Sequence, residues 1–295
     1  MRSPPIAVAA ASALLLATTA SAAADPSVTR DVPYARAPTG ETLTADVYLP
    51  SADRRTRPVL ILAHGGGWTQ GNKGNMETVA RAYLRYGFAV ASIQYRLAPS
   101  ADGLLADDPR AAMDASQQDM EAAVRAVRAS AARFGFDGRR VFVSGESAGA
   151  WTALRLATET PRPFTANAQF SSAPTGVVSV VGSACVPLVT SQVNSTTVPL
   201  RDGTSVTRTA DLRGCTAQFH RGGPPMMLFN GLSDPIVPWL LGVSTCQLAQ
   251  ASGQRCTMIP VLDGHYMMSS QTSREFVVGS AASWMNGVAS VSPLA

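Results

Sequence analysis

The sequence predicts an α/β fold, a mostly parallel central sheet with helices on both faces. Three observations predict it. Short apolar runs recur along the chain, with helix-patterned stretches between them. The residues able to do chemistry mostly stand just after one of those runs. The 295-residue chain is 46% hydrophobic and only 15% charged, which allows a sizeable core.

The first residues are a different object. Met1-Arg2 is a short basic start, Ile6 to Ala20 is an apolar Ala/Leu-rich run, and small residues follow. Ala20-Ser21-Ala22 and Ala22-Ala23-Ala24 each offer an Ala-x-Ala cleavage site. Residues 1–24 read as a signal peptide, and 25–295 as one domain, secreted or periplasmic. The run is too short to span a bilayer comfortably, and no later stretch reaches the roughly 18 apolar residues of a membrane span.

Residues 25–35 read as a lead-in. Thr42 to Leu49 alternates and stops at Pro50, as a strand does. Arg54, Arg55 and Arg57 crowd a turn and read as a solvated hairpin tip. Pro58 to Ala63 is continuously apolar and suits a strand covered on both faces. It ends in His64-Gly65-Gly66-Gly67-Trp68. Three consecutive glycines there give a loop whose amides can face a ligand without obstruction. His64 reads as a structural residue that shapes this loop. A helix is expected over 77–86, stopped by Gly87, then a buried strand over 88–95. Residues 99–110 read as loop. Met120, Val124 and Val127 mark one face of a helix over 119–134, ended by Gly135 and Gly138.

The centre of the chain is Val141-Phe142-Val143 followed at once by Gly145-Glu146-Ser147-Ala148-Gly149 and a helical stretch, 151–158. Strand, sharp turn, helix is the context in which Gly-x-Ser-x-Gly exposes a serine hydroxyl. The Ala148 amide would lie at a helix N-terminus, which favours negative charge.

A short strand is expected over 166–171. The stretch from Ala173 to Gly223 is rich in Ser, Thr, Val and Gly and too long for a simple loop. It reads as an insertion serving as a lid or pocket wall. A strand over 225–229 precedes Asn230-Gly231-Leu232-Ser233-Asp234-Pro235; a helix comes next, over 239–251. The last strand, 256–261, precedes Leu262-Asp263-Gly264-His265, and a closing helix covers 275–285.

The four cysteines, Cys185, Cys215, Cys246 and Cys256, show no Cys-x-x-Cys spacing, so no metal site is expected. Export favours two disulfides. Of the three pairings, Cys185–Cys215 with Cys246–Cys256 is preferred because each closes a local loop. The net charge is +4, and removing residues 1–24 takes away only Arg2. No basic block with interleaved aromatics appears, so nucleic acid is not an expected partner.

A serine nucleophile needs a base, and the base needs an orienting group. The only histidines are His64, His220 and His265. His220 reads as a surface residue. Ser147, Asp234 and His265 come after three separate strands in nucleophile, acid, base order. Asp263 is a rival acid, but two residues before His265 it is poorly placed to reach back to Nδ1. Trp68, Trp239, Met267 and Met268 flank these loops and either line an apolar pocket or pack the loops.

Taken together, His64-Gly65-Gly66-Gly67-Trp68, Tyr95-Arg96-Leu97, Asp119 with Ala122-Ala123-Val124, Gly145 to Gly149, Asp234 to Pro238 and Gly264-His265 resemble the α/β-hydrolase superfamily. The similarity is to its His-Gly-Gly-Gly esterase branch, which includes hormone-sensitive-lipase-like and secreted feruloyl or acetylxylan esterase-like enzymes. Ala150 departs from it, where many relatives have a third glycine. The resemblance implies an oxyanion hole from the amides of Gly66, Gly67 and Ala148, with Gly65 the fallback. It implies no cofactor, and a small-molecule or polymer-linked ester as substrate. Amide or peptide hydrolysis, or depolymerisation of an anionic polymer, would use the same three residues. A hydrolase fold kept only for binding would lack one of them.

Overall fold

The computed structural model describes residues 26–50, 56–99, 106–158, 167–184, 194–199, 205–210 and 217–291. The signal-peptide reading, Arg54, Arg55 and the Cys185–Cys215 pairing lie outside the described residues.

The strands are β1 (Ser27–Arg36), β2 (Thr42–Leu49), β3 (Arg57–Ala63), β4 (Ala89–Ile93), β5 (Phe136–Glu146), β6 (Gly176–Val180), β7 (Asn194–Pro199), β8 (Ser205–Ala210), β9 (Met226–Gly231) and β10 (Cys256–Val261). The helices are α1 (Glu77–Leu84), α2 (Pro109–Ala129), α3 (Ala131–Phe134), α4 (Ala148–Thr158), α5 (Trp239–Ala251) and α6 (Gln271–Val291). Among the described residues, eight strands form one sheet in the order β1-β2-β4-β3-β5-β6-β9-β10. The β1–β2 and β2–β4 pairs are antiparallel and the other five parallel. β7 and β8 form a separate antiparallel pair.

Two apolar layers cover the sheet. On one face, residues of α2, α4 and α5, such as Met120, Leu154 and Leu241, pack with Ile61 and Val143. On the other, residues of α1 and α6, such as Tyr83 and Ala281, pack with Leu60 and Phe142. Neighbouring residues of β3 and β5 thus face opposite layers, both buried. That is why these strands read as unbroken apolar runs.

Four expectations change. Residues 25–35 are mostly β1, an edge strand paired to β2. α2 starts at Pro109, ten residues earlier than expected. Asp108 caps it by accepting the Ala111 N–H at 3.0 Å, and proline suits a first turn. The strand expected over 166–171 is absent among the described residues. Asn167 to Phe170 form a turn, with Asn167 at a φ of +52°. The strand is β6 instead, fully buried between β5 and β9. The segment from Ala173 to Gly223 therefore contains a core strand, and β7 and β8, which follow it, lie outside the central sheet.

Candidate active site

β5 ends at Glu146 and α4 begins at Ala148, so Ser147 alone makes the turn. Its φ is +53°, a conformation costly for a residue with a Cβ. The neighbours hold it there. Its N–H donates to Val180 O at 3.0 Å, and its carbonyl accepts the N–H of Ala150 and of Trp151. The turn also needs its glycines. A Cβ on Gly145 would lie 2.3 Å from the Gly149 carbonyl carbon. One on Gly149 would lie 2.3 Å from Ala63 O and 2.6 Å from His64 O. Strand, helix and glycine loop therefore pack backbone to backbone.

Asp234 stands just past β9 and His265 just past β10. The two loops are joined by Leu232 N–H to Val261 O at 2.9 Å and Ser233 N–H to Asp263 O at 3.1 Å. His265 Nδ1 lies 2.8 Å from Asp234 Oδ2, and His265 Nε2 lies 3.0 Å from Ser147 Oγ. A carboxylate only accepts, so the proton sits on Nδ1 and Nε2 is left to accept from the serine. Both His265 and Asp234 are 7% exposed. Asp263 is turned elsewhere. Its carboxylate accepts from Gly264 N–H at 2.7 Å and from the Ser273 hydroxyl at 2.5 Å.

The glycine loop lies against the serine. A Cβ on Gly65 would be 3.3 Å from Ser147 Cβ. His64 is fully buried; its Nδ1–H donates to Gly65 O at 2.7 Å, and its ring stacks on Tyr95 at 4.3 Å. Burial holds the His64 imidazole below its usual pKa. Tyr95 also donates its hydroxyl to His64 O at 2.9 Å. Gly66 has a φ of +113°, and its carbonyl accepts from both Thr69 N–H and Gln70 N–H. Behind the loop, Arg96 pairs with the buried Asp119 at 2.7 Å.

The structure thus brings Ser147, His265 and Asp234 together beside Gly65, the first glycine of the loop, and leaves His220 exposed. Trp68 is 5% exposed, Met267 0% and Met268 6%, so these three pack the interior. Trp239, at the start of α5, stays partly exposed. Cys246 and Cys256 form a disulfide between α5 and β10. Sequence reading passed over two residues here. Burial raises the Glu146 carboxyl pKa, and the nearby His265 charge opposes that shift. The second is Thr152, one turn into α4. A carboxylate at the strand end just before the serine and a hydroxyl four residues after Ala148 were the available signals.

A parallel sheet that supplies a serine after β5, an aspartate after β9 and a histidine after β10 defines an α/β-hydrolase-fold protein. The chain belongs to the BD-FAE family, whose profile matches residues 45–244. It is 39% identical over 104 residues to carboxylesterase NlhH of Mycobacterium tuberculosis, 35% of this chain and 30% of that protein. It is 35% identical over 119 residues to phenmedipham hydrolase of Pseudarthrobacter oxydans, 40% of this chain and 23% of that one. These matches span less than a third of either relative. Over nearly the whole fold, the chain is similar to butyrate-bound esterase 2 of Thermogutta terrifontis. The TM-score is 0.68 at 18% identity, covering 91% of this chain and 96% of that one.

Proposed function

We propose that the chain is an exported carboxylic-ester hydrolase that works through an acyl-enzyme on Ser147. The observation that carries this reading is the unbroken contact from Ser147 Oγ through His265 to Asp234, with Ser147 in a strained turn against a glycine loop. The carboxylesterase relative supports it.

In the first half-reaction Ser147 Oγ attacks the ester carbonyl carbon as its proton passes to His265 Nε2. The carbonyl oxygen becomes an oxyanion, held by the amides of Gly66, Gly67 and Ala148. Asp234 stabilises the imidazolium through Nδ1. The tetrahedral intermediate then expels the alkoxide, which takes the proton from Nε2. Water, deprotonated by the same nitrogen, attacks the acyl-enzyme, and the second tetrahedral intermediate expels Ser147 Oγ, which takes the proton back from Nε2 as the acid leaves. Each oxyanion donor is worth roughly 3–4 kcal/mol in such chemistry. The test is a panel of p-nitrophenyl esters of varied chain length with matched anilides, using wild type and Ser147→Ala. Ester turnover that vanishes in Ser147→Ala is expected. Anilide turnover exceeding ester turnover, or a fully active alanine variant, overturns the reading.

A further inference from the structure

Trp68 closes the glycine loop with a φ of +63°. Its indole N–H donates to Thr152 Oγ1 at 3.2 Å, across 84 residues of chain. The Thr152 hydroxyl lies 2.9 Å from Ala148 O, one turn back in α4. Ser116 Oγ of α2 lies 2.9 Å from Thr152 Oγ1 and 3.1 Å from Met113 O. Thr152 and Ser116 are both 0% exposed.

Hydrogen counting separates these contacts. Two hydroxyl hydrogens serve three oxygen–oxygen contacts, so those contacts can exchange. The indole only donates, so its bond to Thr152 has one direction and no substitute in a dry site. We propose that Thr152 is a positioning residue that fixes the glycine loop over the N-terminus of α4. It thereby sets the distance between the amides of Gly66 and Gly67 and the amide of Ala148.

The inference rests on the ester-hydrolase reading and adds to it. The two sets of donors come from separate segments. The loop leaves the sheet at Ala63, where strand pairing stops constraining it. Glycines add no side chains to hold its height. Trp68 does hold it, through its side chain on Thr152 and through its carbonyl, which accepts from Ala98 N–H at 2.7 Å. Donors stabilise an oxyanion only within a narrow distance range, and a misplacement of about 1 Å costs on the order of a hundredfold in rate.

Thr152→Val keeps the side-chain shape and removes the acceptor. It should lower kcat by roughly 10- to 100-fold with KM little changed and the pH profile unmoved. Affinity for an aryl trifluoromethyl ketone, which mimics the tetrahedral state, should fall in step with kcat/KM. Thr152→Ser should restore most of the loss. Trp68→Phe removes the donor and should match the valine variant, and the double variant should lose nothing more. If Thr152→Val does not fold, Trp68→Phe decides alone, since it leaves Thr152 its partners in Ser116 and Ala148. Wild-type kcat in either folded variant, a loss confined to KM, or additive losses overturn the inference while wild type remains an active esterase. An inactive wild type removes both readings together.

Discussion

Asp234 contacts His265 with one carboxylate oxygen and is itself held by the other. Oδ2 lies 2.8 Å from His265 Nδ1, while Oδ1 accepts the backbone N–H of Ile236 at 2.8 Å and of Val237 at 2.9 Å. The carboxylate cannot rotate without losing bonds on both sides. Asp234→Asn should keep the fold and lower kcat on the order of 10⁴-fold, because an amide can stabilise the wrong imidazole tautomer. Steady-state kinetics beside a circular dichroism spectrum would check it. A folded asparagine variant with near-normal kcat would remove Asp234 from the mechanism.

His64 should make the fold sensitive to acid. Its pKa is depressed in the folded chain, because burial disfavours the charged ring. In the unfolded chain it titrates near the ordinary value of about 6.5. The unfolded state therefore binds more protons as pH falls. His64 supports stability above the ordinary imidazole value, and that support is lost as pH falls through and below it. Urea unfolding from pH 8 to pH 5 should show wild type losing stability faster than His64→Gln. Parallel curves would contradict the assignment.

The Cys246–Cys256 disulfide joins α5 to β10 across a separation of 10 residues. In the chain-entropy picture a loop of that size contributes about 2–3 kcal/mol. Changing both cysteines to alanine should lower Tm by roughly 4–10 °C and leave kcat at 25 °C unchanged. An unaltered Tm would show that the bond constrains little.

Gly149→Ala tests the backbone packing under the serine. The added Cβ would meet two backbone oxygens, Ala63 O at 2.3 Å and His64 O at 2.6 Å, and neither is the flexible end of a side chain. Overpacking of this kind costs about 1–3 kcal/mol or more. The variant should melt earlier and turn over more slowly even where folded. Wild-type melting and kcat would mean that α4 does not sit as close to the loop as described.

The parts of this fold that sequence revealed best are those whose pattern stands alone. Trp239–Ala251 and Cys256–Val261 have the expected bounds, since a helix-length stretch and a compact apolar run come after distinct turns. That Ser147, Asp234 and His265 come together was legible because each stands just past a strand that reads as one. β1 was hidden because an edge strand leaves most of its residues exposed, and register shifts break up the alternation of its few covered residues, Val28, Val32, Tyr34 and Ala35. β6 was hidden differently. Gly176-Val-Val-Ser-Val is apolar enough, but it sits in a Ser/Thr/Val-rich stretch where its boundaries blur. Thr152 offered sequence reading only a hydroxyl four residues after Ala148. Its partner Trp68 lies on another segment, and only tertiary packing pairs them.

The most direct test of the central claim is peptide mapping after titration with an organophosphate such as paraoxon, scored against remaining ester turnover. The account predicts one adduct per chain, on Ser147, with turnover falling in proportion to the fraction modified. An adduct on another residue, or full ester turnover with Ser147 completely modified, would contradict it.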